Sequence, residues 1–174
     1  TRQIPVEPDH SDASSPTLLT SFQNEVFFRA GTTVYTDTSE LWRSDGSELG
    51  TVRVKNGVGI SNLAVAGGTL YFQGVTAGSG RELWKSDGST AGTVLVKDIF
   101  PGFGSSFPAQ LTLVNDTVFF TANDGSGNEL WKSDGTEAGT VRVKDIRPGS
   151  LGANPTSMVE VNGTLYFSAF HSSY

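Results

Sequence analysis

The chain has 174 residues, enough to bury a core as one domain. Its formal net charge of −6 opposes the basic patch or stripe that marks general nucleic-acid binding. It has no cysteine, which excludes disulfides, thiolate metal sites and Cys nucleophiles, and no apolar run approaches the roughly 18 residues of a membrane-spanning helix.

Residues 1–15 are polar, show no signal-peptide pattern and do not begin with Met, as in a processed product or a fragment. Their spacing says more. Thr1-Arg2-Gln3-Ile4 precedes Pro16-Thr17 by the same fifteen residues that separate Thr140-Val141-Arg142-Val143 from Pro155-Thr156, and Thr93 stands at that distance from Pro108. This predicts that residues 1–7 are the last strand of a preceding repeat, followed by a linker up to residue 15. The alternative is a polar tail, since terminal segments are often mobile.

Next comes a hairpin that recurs down the chain. Leu18-Leu19-Thr20-Ser21-Phe22 turns at Gln23-Asn24 into Glu25-Val26-Phe27-Phe28. Leu63-Ala64-Val65 turns at Ala66-Gly67-Gly68 into Thr69-Leu70-Tyr71-Phe72, and Leu111-Thr112-Leu113-Val114 turns at Asn115-Asp116 into Thr117-Val118-Phe119-Phe120. Met158-Val159-Glu160-Val161 turns at Asn162-Gly163 into Thr164-Leu165-Tyr166-Phe167. Asn-Gly and its relatives tolerate the positive φ that tight hairpins require. The second strand of each is apolar on both faces, so both faces are expected to be covered. Asn115-Asp116-Thr117 and Asn162-Gly163-Thr164 match a glycosylation acceptor pattern but read better as turns.

A third strand then carries Glu40-Leu41-Trp42-Arg43-Ser44-Asp45-Gly46-Ser47, and the same stretch returns as Glu82-Leu83-Trp84-Lys85-Ser86-Asp87-Gly88-Ser89 and Glu129-Leu130-Trp131-Lys132-Ser133-Asp134-Gly135-Thr136. Gly50-Thr51-Val52, Gly92-Thr93-Val94 and Gly139-Thr140-Val141 follow and open a fourth strand. The unit is four short antiparallel strands in about 42 to 48 residues, near the length of a propeller blade. The whole chain reads as one repeat domain: residues 16–60, 61–107 and 108–154 are repeats, and 155–174 the first hairpin of a fourth.

The motif resembles the ELWxxDGT repeat of bacterial proteins. Its third copy matches that name letter for letter, and the first two have Ser47 and Ser89 where the family has Thr. The resemblance implies a repeat module of large, secreted or surface-associated proteins; it implies no shared activity.

The expected fold is all-β: a β-propeller or partial propeller of four-stranded antiparallel repeats, with an open stack of the same small sheets as the alternative. Asp45, Gly46, Asp87, Gly88, Asp134 and Gly135 are expected to build turns, since Asp accepts nearby backbone N–H bonds and Gly takes unusual φ. A ring of metal or sugar ligands is the other reading of the aspartates. Trp42, Trp84 and Trp131 are expected to pack between repeats. Glu40, Glu82 and Glu129 are expected to pair with Lys or Arg on a neighbouring strand. Phe100, Phe103 and Phe107 form the most unusual loop, expected to pack between adjacent repeats, or to be a contact surface if exposed. Asp124 and Asn128 sit in a stretch similar to part of a calcium loop, but the EF-hand spacing is not met; a flexible hairpin loop is the expected reading, calcium the alternative, and no metal or cofactor is assigned.

No Ser is paired with a base by any recognisable motif, and His10 and His171 lie outside the repeat, so no catalytic residue is assigned. The expected function is a non-enzymatic extracellular or cell-surface module, structural or adhesive. It would act through self-assembly or through contacts with neighbouring repeats or other proteins. The alternative is a lectin-like module holding glycan or protein; a hydrolase on the same scaffold comes third.

Overall fold

The computed structural model describes residues 16–31 and 39–171. The strand expected within residues 1–7, and His10, lie outside the described residues. Within them the chain is all β, with no helix. The first sheet joins β1 (Thr17–Phe22), β2 (Glu25–Ala30), β3 (Glu40–Ser44) and β4 (Val52–Lys55) in chain order, every pair antiparallel. The second repeats this with β5 (Gly59–Ala66), β6 (Thr69–Thr76), β7 (Ser79–Ser86) and β8 (Val94–Lys97). The third joins β9 (Ala109–Val114), β10 (Thr117–Asn123), β11 (Asn128–Ser133) and β12 (Val141–Lys144). The fourth is the hairpin β13 (Thr156–Val161) and β14 (Thr164–Ser168).

The hairpin turns follow from their residues. Gln23 and Asn24 both take positive φ (50° and 64°), as do Asn162 and Gly163 (51° and 77°), the backbone that matches the twist of the flanking strands. A second left-handed position lies near the start of each first strand: Leu18, Asn62, Gln110 and Ser157, with φ between 52° and 55°. There the pairing slips by one residue, as from Thr17↔Arg29 to Thr20↔Phe27 and from Ser61↔Gln73 to Ala64↔Tyr71, which marks a β-bulge. The bulge also aims side chains at the next sheet: Asn62 Nδ2 donates to Pro108 O and Gln110 Nε2 to Pro155 O, both at 3.1 Å.

The sheets follow one another with their first strands side by side: β1 beside β5, β5 beside β9, and β9 beside β13. The core lies between them. Phe22, Phe27, Leu41 and Val54 of the first sheet pack against Ile60, Leu70, Phe72 and Trp84 of the second. Tyr71, Leu83 and Val96 of the second, with Ile99 of the connection after it, pack against Val118, Phe120, Ala122 and Trp131 of the third. Side chains alternate across a strand, so Leu41 and Trp42 point to opposite faces. Trp84 and Trp131 therefore face the preceding sheet, and Leu41 and Leu83 the following one. Trp42 lies with Phe28, Ala30 and Val26 on the face of the first sheet away from the second. Burying one such aromatic stabilises by about 1.5–3 kcal/mol.

Candidate functional site

The three motif copies fold into the same hydrogen-bonded hairpin. In the first, Asp45 Oδ1 accepts from Ser47 N at 2.8 Å and from Ser47 Oγ at 2.7 Å, and Ser47 Oγ accepts from Gly50 N at 2.9 Å. Thr51 Oγ1 donates to Ser47 O at 2.7 Å and also lies 2.7 Å from Ser44 Oγ. The Thr51 proton is thus spent, so Ser44 is the donor of that second contact; its oxygen accepts from Gly46 N at 3.0 Å. Asp87 with Ser89, Gly92, Ser86 and Thr93 repeats the arrangement, as does Asp134 with Thr136, Gly139, Ser133 and Thr140.

The glycines are dictated by this geometry. Gly46, Gly88 and Gly135 have φ of 92°, 91° and 87°, where other residues are strained. At Gly50, Gly92 and Gly139 a Cβ would run into the carboxylate of Asp45, Asp87 and Asp134 respectively. The hydroxyl and backbone N–H of Ser89 hold the Asp87 carboxyl below the usual Asp value, and those of Thr136 do the same for Asp134.

The motif glutamates do something the sequence reading missed. Glu40 does pair with an arginine, Arg53 of the adjacent β4, at 3.0 Å, and also accepts from Gly57 N at 2.8 Å. Glu82 and Glu129 are fully buried and accept backbone N–H bonds instead. Glu82 takes Ile99 N at 2.9 Å, Ser106 N at 3.0 Å and Ser106 Oγ at 2.6 Å. Glu129 takes Ile146 N at 3.0 Å, Arg147 N at 3.2 Å and Ala153 N at 2.9 Å. The expected Lys or Arg partner is corrected for these two: the carboxylates pin the connection that leads to the next sheet. Burial pushes the Glu82 carboxyl up, against hydrogen bonds from Ser106, Ile99 and Phe100 that pull it down.

The tryptophan seat is built by a small residue that the sequence also repeats. Trp84 lies over Phe72, centroids 6.4 Å apart and planes 24° apart, and Gly74 leaves the room that its indole fills. Ala30 and Ala122 occupy the Gly74 position and are buried with Trp42 and Trp131. The indole N–H groups of Trp84 and Trp131 are buried and find no acceptor among the described residues.

Lysines tie the first and second sheets to the turn of the sheet that follows. Lys55 Nζ donates to Thr93 O at 2.7 Å, and Lys97 Nζ to Thr140 O at 2.9 Å. Lys85 Nζ donates to Gly135 O at 2.8 Å, and Thr90 Oγ1 returns a bond to Val54 O at 2.6 Å.

The phenylalanine loop is divided. Phe103 (87% exposed) and Phe107 (57% exposed) face solvent, whereas Phe100 lies against Gly104 and Gly125 and is half-buried. Asp124 and Asn128 do not converge. Asp124 Oδ1 accepts from Ser126 N and Oγ, and its Oδ2 lies 3.6 Å from the Arg142 guanidinium. Burial pushes the Asp124 carboxyl up, but the Ser126 bonds and Arg142 outweigh it and hold it low. Asn128 Nδ2 reaches Asn154 Oδ1 instead, at 3.4 Å. Among the described residues no three His, Cys, Asp or Glu side chains gather as a metal site, and no helix is long and apolar enough to cross a membrane.

One junction breaks the repeat. β4 is joined to β5 by residues 56–58 alone, whereas β8–β9 and β12–β13 use long connections that wrap over Glu82 and Glu129. A cleft of about 370 Å³ opens there, lined by Glu40, Gly57, Val58, Gly59, Val75, Thr76 and Ala77.

No protein-family model matches the chain, and no curated protein matches it. The resemblance to the ELWxxDGT repeat therefore rests on the three motif copies themselves.

Proposed function

We propose that this is an ELWxxDGT-like repeat module without catalytic activity, structural or adhesive, that acts at the cell surface or outside the cell by assembling with further repeats or protein surfaces. The observation that carries the reading is how the motif is spent. Trp84 and Trp131 pack onto the preceding sheet, Leu41 and Leu83 onto the following one, and Glu82 and Glu129 hold the connecting loops, while Lys55 and Lys97 of the first two fourth strands grip the next turn. The recurrent Trp, Leu and Lys thus serve the joining of sheet to sheet, and the Asp, Ser and Thr build the turn that is gripped. Antiparallel sheets in chain order with their first strands side by side also favour a β-propeller, or part of one, over an open stack. Light scattering over a dilution series tests the assembly reading. A defined oligomer or a growing polymer is the expected result; a monomer at every concentration counts against it.

A second reading rests on the cleft beside Glu40. It is mostly apolar with one carboxylate at its edge, a composition suited to a sugar face with a hydroxyl to bind. On this reading the chain is lectin-like. Its test is a glycan array probed with the chain and with Val75→Trp; binding lost in the variant supports it, and silence across the array sinks it.

A further inference from the structure

Two junctions in this chain show what a finished interface between successive sheets contains, and the third shows the same parts with no occupant among the described residues. At the first junction, Lys55 holds Thr93 O, and Trp84 is seated over Phe72 and Gly74. At the second, Lys97 holds Thr140 O, Lys85 holds Gly135 O, and Trp131 is buried with Phe120 and Ala122. In both, the incoming partner is the third-strand hairpin with its Ser-Asp-Gly turn.

The third sheet and the β13–β14 hairpin repeat every receiving part. Phe167 and Ala169 stand at the positions of Phe72 and Gly74 and of Phe120 and Ala122. Both are exposed, Phe167 at 38%. Lys144 stands where Lys55 and Lys97 do, and Lys132 where Lys85 does. Both are exposed, and neither ammonium has a partner among the described residues. The outer edge of β14 pairs with no strand among the described residues, whereas the equivalent edges of β2, β6 and β10 each hold a motif strand in one register: Phe28↔Trp42, Phe72↔Trp84 and Phe120↔Trp131.

We infer that the β14 edge, with Lys132 and Lys144 beside it, is a docking site for a β-hairpin of the chain's own motif, Glu-Leu-Trp-Lys-Ser-Asp-Gly-Thr followed by Gly-Thr-Val. The incoming strand adds to β14 antiparallel, with its Trp opposite Phe167 and over Ala169. Its turn presents backbone carbonyls to Lys144 and Lys132. The seat rejects a strand without the Trp, because the exposed Phe167 then gains no cover. The inference rests on the assembly reading above and names the surface and the partner chemistry that the assembly would use.

The test titrates a fluorescently labelled peptide of residues 128–144 into the whole chain and follows anisotropy. Saturable one-to-one binding is expected. Trp131→Ala in the peptide should weaken it about tenfold or more, in line with loss of a central aromatic anchor. Ala169→Leu in the chain should do the same by filling the seat. Since Ala169 is exposed, its melting temperature should stay that of the parent chain. Lys132→Ala with Lys144→Ala should weaken binding by a smaller factor. Absence of saturable binding overturns the inference, as does a peptide that binds equally well with Trp131 replaced. Light scattering on the same samples separates the two claims. A monomer that binds the peptide sinks self-assembly but keeps the site; an oligomer that neither binds the peptide nor yields to it keeps assembly and removes the site.

Discussion

The ammonium of Lys97, at the end of β8, lies 2.9 Å from the carbonyl oxygen of Thr140, which follows the turn of the next sheet. Lys55 and Thr93 stand in the same relationship one repeat earlier, at 2.7 Å. A charged donor on a backbone acceptor is stronger than a neutral pair. Lys97→Ala and Lys55→Ala should each cost about 1–2 kcal/mol in urea unfolding. Lys144→Ala, at the equivalent position without a partner among the described residues, should leave the urea midpoint unchanged at a dilution where light scattering shows the monomer. Equal losses at all three would mean that the contact contributes nothing.

Trp84 fills the seat made by Phe72 and Gly74 without a hydrogen bond from its indole among the described residues. Trp84→Ala should cost about 3–5 kcal/mol, the usual penalty for emptying so large a buried volume. Trp84→Phe should cost far less, because a ring remains and no hydrogen bond is lost. A Phe variant as damaged as the Ala variant would reveal an acceptor for the indole.

Glu82 accepts from Ile99 N and from both the N and Oγ of Ser106, so Gln would turn an amide NH₂ towards a donor. Glu82→Gln should destabilise by about 1–3 kcal/mol even though it removes a buried charge. Hydrogen exchange at the Ser106 and Ile99 amides should rise with it. Unchanged protection at those amides would show that the carboxylate does not pin the loop.

The carboxylates also set opposite pH trends. Asp87 and Asp134 titrate below the usual 3.8, so the unfolded chain holds more protons than the folded one in that window. Their contribution is complete above the ordinary Asp range and is lost as pH falls through the depressed values. Glu82 titrates above its usual 4.5, so its contribution falls as pH rises from there through the raised value. Urea midpoints measured from neutral to acid pH should drop less for Asp87→Asn with Asp134→Asn than for the parent chain. Parallel curves would remove the two turns from the acid response.

Much of the four-stranded unit was legible in the sequence because its signals are local. Gln23-Asn24 and Asn162-Gly163 carry the φ their turns need, and Phe27 and Phe28 announce two covered faces within one dipeptide. Ser44, Asp45, Ser47 and Thr51 bond within a single turn, so their spacing alone points to it. The roles of Glu82 and Glu129 were not legible. Their partners are backbone N–H groups 17 to 24 residues downstream, and a backbone N–H has no residue signature. The division of the phenylalanine loop was hidden for a related reason: Phe100 turns in because Gly104 and Gly125 leave room. The small residue beneath each Trp was visible as Ala30, Gly74 and Ala122, a periodicity that means something only once Trp84 is seen lying on Gly74.

The alternation of Leu41 and Trp42 to opposite faces has a geometric consequence. A sheet whose two sides differ in this way has a front and a back, and at the two junctions between full sheets the back of one meets the front of the other. Front-on-back contacts are heterologous, unlike the like-on-like contact of a twofold-symmetric dimer. Whatever forms through them grows by head-to-tail addition, and the rotation from one sheet to the next decides whether it closes on itself or runs on as a filament.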